Sequence, residues 1–341
     1  MGTSCTQNRQ WPYPLRNRAL LAPMSGVSDV PFRRLAWRFG AGMVVSEMVA
    51  SEALTTHHAE MLLKAEGAGL PTHVVQLAGK EARWMAEATR MAVANGADAI
   101  DINMGCPSKR VTTGWSGSAL MRDLDHAVEL IRATVAASPV PVTLKMRLGW
   151  DRASMNAPEL ARRAQAEGVQ AITVHGRTRD QFYKPSADWN AVRAVRDATT
   201  LPLVVNGDIA SVADAYSAIR ASGADAVMVG RATYGAPWLV GRIGAALDDL
   251  PVPVLPRGAA FADFVAEHHG AMVAYYGRVL GVRNARKHLD WYTAHLPQPP
   301  SPAARLQLMR EDDPDTVQRL CRSLFAEGDP NVEHPREALA A

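Results

Sequence analysis

The feature that most limits what this chain can become is a repeat of short apolar runs, each followed by a stretch of helical periodicity. The runs fall at Ala19–Ala22, Met43–Ser46, His73–Leu77, Ala99–Asn103, Val142–Met146, Ala171–His175, Leu203–Asn206 and Ala226–Gly230. Between them Glu81–Ala94, Leu124–Ala136, Pro158–Glu167, Trp189–Ala198 and Val212–Ala221 space their apolar residues as helices do, and Gly96, Gly168 and Gly223 close three of these segments. Strands this apolar need cover on both faces, so strand and helix in alternation predict a parallel sheet sheathed by helices. Eight such units predict a closed (β/α)8 TIM barrel over residues 17–250. An open doubly wound sheet is disfavoured, because no strand–GxGxxG–helix unit opens the chain.

The alternation ends after Gly241–Leu250, and Pro251–Pro256 reads as a linker. Phe261–Leu280, Val282–Trp291, Ala303–Met309 and Asp315–Ala326 have helical spacing and predict a small all-α domain over 257–328, with 1–16 as a loose lead-in and 329–341 as a tail. The 341 residues leave room for one large core and a smaller one.

A net charge of +3 excludes a globally basic surface, so any contact with nucleic acid must come from a local patch. No apolar run approaches the roughly 20 residues of a membrane span, and the N-terminus lacks the apolar stretch of a signal peptide. Cys5, Cys106 and Cys321 lie far apart without CxxC spacing, which fits a reducing cytoplasm. Met1–Thr6 satisfies the short myristoylation pattern, but nothing else in the chain supports lipidation. The histidines, including His57-His58 and His268-His269, show no metal-ligand spacing; no metal is expected, and they read as surface or structural.

Chemistry gathers where a barrel places it, at the C-terminal ends of the strands. Pro23, Met24 and Ser25 follow strand one, Gln76 closes strand three, Asn103 and Cys106 follow strand four, Lys145 closes strand five and His175 closes strand six. Asn206-Gly207-Asp208 follows strand seven and Gly230-Arg231 follows strand eight. Each alone has an ordinary explanation: a free cysteine is usually a small buried hydrophobe, and NGD is a common turn. Together they point to one face. Loops after strands seven and eight commonly hold a phosphate, to which Arg231 could add a bidentate contact. Lys145, in an apolar strand, needs an anionic partner; it could offset charge on the N1/C2 edge of a reduced flavin, while Gln76 could hydrogen-bond the pyrimidine edge.

LAPMSGVSDVPFRRL, VSEM, VVQLAG, DINMGCPSKRV with GSAL, TLKMRLGW, TVHGRT, VVNGDI, VMVGRA and RNARKHLDWY occur in this order over residues 21–292. In them the chain closely resembles the tRNA-dihydrouridine synthases, in particular the bacterial B type. The resemblance implies an FMN-containing barrel that reduces the 5,6 double bond of D-loop uridines, with NADPH as electron source. It makes Cys106 the proton donor, and Pro23, Met24, Ser25, Gln76, Lys145, Asn206, Gly207, Asp208, Gly230 and Arg231 contacts of FMN, with His175 a further flavin contact. Hydride would pass from flavin N5 to uracil C6, and the thiol would protonate C5 from the opposite face.

The tRNA must then be held with the target nucleotide turned out of its stack. Lys109 and Arg110 could tune Cys106 or bind a tRNA phosphate. Residues 278–310 carry six Lys and Arg against the single Asp290, a net +5, and the residues after 310 are net acidic. Arg283, Arg286, Lys287 and Asp290 recur at helical spacing and are expected to form an RNA-binding face, with Arg278 and His288 beside them. Trp291 and Tyr292 read as packing residues, Arg177 could meet flavin phosphate or RNA, and nothing calls for an obligate protein partner. Two rival readings are an FMN-barrel reductase of a free pyrimidine or enone, and a non-catalytic tRNA-binding protein.

Overall fold

A computed structural model describes residues 10–332. Cys5, the myristoylation pattern and most of the tail lie outside these residues. Eight strands close into a barrel: β1 Ala19–Leu21, β2 Met43–Ala50, β3 Val74–Ala78, β4 Ala99–Met104, β5 Val142–Arg147, β6 Ala171–His175, β7 Leu203–Asn206 and β8 Ala226–Val229. All neighbours pair in parallel, and β8 returns to β1. Among the described residues no helix is long and apolar enough to cross a membrane.

Period-2 alternation sorts every strand into an outer and an inner face. Val75, Leu77, Ile100, Ile102, Leu144, Met146, Ile172 and Val174 belong to the outer cluster beneath the helices. Leu20, Met43, Val45, Val74, Ala99, Val204, Ala226 and Met228 form a second cluster, and Trp11, Tyr13 and Leu15 pack against it. Residues 11–15, expected to be loose, therefore close the apolar end of the barrel. Toward the C-terminal ends the inner face turns polar: Gln76 lies opposite Asp101, Asp101 opposite Thr143, Asn103 opposite Lys145, and Arg147 opposite His175. Gln76, Asn103 and Lys145 thus sit inside their strands rather than at or beyond the last residue.

The C-terminal helices Ala259–Tyr276, Arg278–Tyr292, Pro302–Arg310 and Pro314–Leu324 share an apolar core with Leu35, Phe39 and Trp238 of the barrel. The first break falls at Gly277, not at the expected Gly281. Gly277 adopts φ +80°, which favours glycine, whereas Gly281 stays helical where an added Cβ would lie 2.5 Å from Val273 Cα. The expected helix Trp189–Ala198 begins only at Arg193; Trp189 instead donates its indole N–H to Gly207 O at 2.8 Å.

His268, His269 and His288 are buried at this inter-domain seam, so His288 does not join an RNA-facing surface. His268 Nδ1 lies 2.9 Å from Tyr292 Oη and its ring 4.8 Å from that of His288, which packs on Phe32. Among the described residues, both ring nitrogens of His269 and of His288 lack a hydrogen-bond partner. Burial pushes all three below the ordinary 6.5, His268 to about 3 and His269 to about 4. A histidine held neutral in the fold binds its proton only after unfolding, so its stabilisation is complete above pH 6.5 and is lost as pH falls below it. Relative to His268→Gln, the wild type should lose about 2 kcal/mol between pH 6.5 and 5, read from urea midpoints; a pH-independent difference would contradict this.

Candidate active site

A cleft of about 950 Å³ opens at the C-terminal end of the barrel. Pro23, Met24, Ser25, Gln76, Cys106, Lys145, His175, Asn206, Gly207, Asp208, Gly230 and Arg231 all line it, as does Arg110. Lys109 stands on the adjacent turn, exposed.

A hydrogen-bond chain climbs from the barrel interior to the cysteine. Thr143 donates to Asp101 Oδ1 at 2.6 Å and Gln76 Nε2 to Asp101 Oδ2 at 2.7 Å. Asn103 Nδ2 donates to Gln76 Oε1 at 2.8 Å, and Asn103 Oδ1 accepts from Gly105 N at 3.1 Å and Cys106 N at 3.0 Å. Ser118 Oγ donates to Cys106 O at 2.8 Å, and Arg147 Nε to Gly105 O at 2.9 Å. Gly117, at φ +60°, passes so close that a Cβ there would lie 3.2 Å from Cys106 Cβ. The partly exposed thiol is thus carried on a loop pinned from three sides.

The cleft is cationic. Lys145 Nζ donates to Asn206 Oδ1 at 3.2 Å, and Asn206 Nδ2 is fixed by Met228 O at 2.8 Å. Burial, aided by Arg147, pulls Lys145 down to about 8, and burial lowers Arg147 to about 10. Burial also raises the Asp101 carboxyl, which is already engaged by Gln76 and Thr143. His175 is held well below its ordinary range by burial and by Arg147, Lys145, Arg177 and Arg231, so it is neutral near pH 7. Arg177, left open by the sequence, is buried and cannot meet RNA: it pairs with Asp208, donates to Pro185 O at 2.7 Å and lies 3.2 Å from His175 Nε2. Arg231 lies 3.4 Å from Asp208 and stacks on Tyr183 at 4.3 Å.

Sequence reasoning placed Asn103 among the strand-end residues without assigning it a contact, and did not single out Arg147, Tyr183 or Tyr234; all four line the cleft. Arg147 had a readable signal, since it lies two residues from Lys145 on one strand and must share its face. Tyr183 and Tyr234 arrive on loops that no periodicity predicts; Tyr234 stacks on Trp291 of the helical region at 4.1 Å.

The expected RNA-binding face is altered. Arg278, Arg286 and Arg305 pair with Asp313, Asp312 and Asp290 at 2.6, 2.6 and 2.7 Å. Lys287 turns inward, toward Gly26 and the buried Asp29 and Glu47, because those carboxylates attract it where the two domains meet. Arg283 remains exposed.

Residues 20–326 match the model of the family described as dihydrouridine synthase. The chain belongs to that family. A probable tRNA-dihydrouridine synthase of Rhizobium leguminosarum bv. phaseoli is 52% identical over 92% of this chain and 96% of its own length, and one of Rhodobacter capsulatus is 54% identical over 90% and 94%. The tRNA-dihydrouridine synthase B of Xanthomonas axonopodis pv. citri is 45% identical over 92% and 94%. Among solved structures, histamine dehydrogenase from Rhizobium sp. 4-9 shares the fold, with a TM-score of 0.50 at 14% identity over 76% of this chain and 49% of that one. Membership in the dihydrouridine synthase family makes the chain an oxidoreductase and implies a flavin cofactor.

The site residues suit such a group. Lys145, Arg147 and Arg231 outnumber the carboxylates that reach into the cleft, which favours an anionic ligand. At Gly230 the nearest protein atoms to an added Cβ would be 3.7 and 3.9 Å away, on Ala22 and Met24, so the strand-eight loop leaves space beside them. Gly207 is different: at φ +116° an added Cβ would meet Ala187 Cβ at 2.8 Å. Gly207→Ala should therefore destabilise the fold by about 1–3 kcal/mol in urea unfolding; an unchanged midpoint would show that this turn relaxes freely.

Proposed function

We propose that the chain is a tRNA-dihydrouridine synthase of the B type, reducing the 5,6 double bond of D-loop uridines with FMN and NADPH. The observation that carries this reading is Cys106, fixed by Asn103 at the mouth of a cationic barrel that matches the dihydrouridine synthase family over most of its length. Bound FMN, reduced by NADPH, would supply a hydride to uracil C6. Pro23, Met24, Ser25, Gln76, Lys145, His175 and Asn206 would hold its ring, and Gly207, Gly230 and Arg231 its phosphate end, with Asp208 orienting Arg231 and Arg177 keeping Asp208 and His175 in place.

As charge develops on the uracil, the Cys106 thiol gives its proton to C5 and is reprotonated from solvent. Lys145 and Arg147, both poor in solvent and rich in positive charge, offset the negative charge of the reacting rings. Neutral His175 can donate one ring N–H without adding charge. Gln76 is already bonded at both ends of its amide, so it has one N–H and one lone pair left for the ligand.

Residues 257–328 act as the tRNA-binding domain. Lys109, Arg110 and Arg283 meet the backbone directly, and Arg286 does so while tethered to Asp312. Lys287 serves the domain seam instead. A reducing cytoplasm is the expected compartment, since Cys106 and Cys321 are free thiols.

Unmodified tRNA transcripts incubated with the protein, FMN and NADPH should gain about two mass units at defined D-loop uridines, mapped by mass spectrometry. NADPH oxidation that leaves every tRNA unchanged would favour a small-molecule reductase. Cys106→Ala should retain FMN and its reduction by NADPH while uridine reduction falls by about 10²-fold or more in single-turnover assays; loss of FMN would instead make Cys106 structural.

A further inference from the structure

The loops after β4, β5 and β6 carry a stack of aromatic and arginine side chains that the chemistry above does not use. Arg122 lies 4.9 Å from the Trp115 ring and 5.0 Å from that of Trp150; Arg179 lies 4.5 Å from Trp150 and 4.9 Å from Phe182. Each arginine is thus sandwiched between two rings, in the order Trp115, Arg122, Trp150, Arg179, Phe182. The two end rings are open to solvent, Trp115 by 52% and Phe182 by 36%. Both also hold positive φ, +57° and +46°, a conformation that bulky residues adopt only when the surroundings impose it.

The stack is continuous with the cleft, whose wall includes Phe182, Tyr183, Gly114 and Ser116. Asp123 and Asp125 line the hollow beside Trp115 and Arg122, but Asp123 caps the following helix at His126 N and Asp125 pairs with Arg163. Among the described residues neither Arg122 nor Arg179 forms an ion pair, whereas Arg278, Arg286 and Arg305 of the helical region are each paired with an aspartate. Arg179 gives one N–H to Thr112 at 3.3 Å, and its buried Nε has no partner among the described residues.

We propose that this rim is a second RNA-contact surface, on which Trp115 stacks an unpaired base flanking the target nucleotide while Arg122 and Arg179 attract the adjoining phosphates. The proposal rests on the tRNA reading above and extends it to a surface away from the helical domain. Flat open rings next to unpaired guanidinium groups are what splayed single-stranded nucleotides require: every base has a face to stack, and the backbone supplies the counter-charge. A stack that merely fastened three loops together would bury its end rings and neutralise its arginines.

The test uses the FMN-loaded enzyme and an unmodified tRNA transcript. Trp115→Ala should raise KM for tRNA about tenfold with kcat within about twofold, and Trp115→Phe should restore most of that affinity. Arg122→Ala and Arg179→Ala should each lower the slope of log affinity against log salt by about one. A Trp115→Ala enzyme with unchanged KM, or with reduced kcat alone, would overturn the proposal, the latter by showing that Trp115 only supports the Cys106 loop. If the wild type bound no tRNA at all, the tRNA reading itself would fail.

Discussion

The site depends on one costly arrangement, a lysine ammonium inside a closed barrel. A barrel of eight strands must fill its interior with side chains, and most of this one obeys with Leu20, Met43, Val45, Val204 and Met228. At the level of Lys145 the filling changes to charge. Transfer of an ammonium from water costs several kcal/mol unless other groups compensate. Asp101 is the buried acid nearest in the network, but its own ionisation is disfavoured and its oxygens are engaged by Gln76 and Thr143. The interior is therefore left with positive charge in excess, which an anionic ring or phosphate would satisfy.

The same network carries the position of the thiol. Asp101 orients Gln76, Gln76 orients Asn103, and Asn103 receives the N–H groups of Gly105 and Cys106. The groups proposed to meet the flavin and the thiol proposed to protonate the substrate are thus set by one chain of hydrogen bonds.

The barrel was legible because strand and helix periodicities differ and because eight alternations leave few topologies. The site was legible to the extent that its groups lie on or directly after strands, as Lys145, His175 and Asn206 do. Arg147 could have been read from the same two-residue period. Tyr183, Tyr234 and the aromatic–arginine stack come together through loops distant in sequence, where no local pattern marks a partner. The helical region shows a different limit: its basic residues were visible, but their pairing with Asp290, Asp312 and Asp313, and the inward turn of Lys287, are products of tertiary packing. The seam histidines follow the same logic, since only packing reveals that His268 and His288 are dry.

The most direct test of the account is the midpoint potential of bound FMN in the wild type and in Lys145→Met. If the buried ammonium stabilises the reduced, anionic ring, removing it should lower the potential by about 30 mV or more, the equivalent of about 1.4 kcal/mol for two electrons. An unchanged potential in a variant fully loaded with FMN would show that Lys145 does not face the ring, and the charge-based account of the site would be wrong.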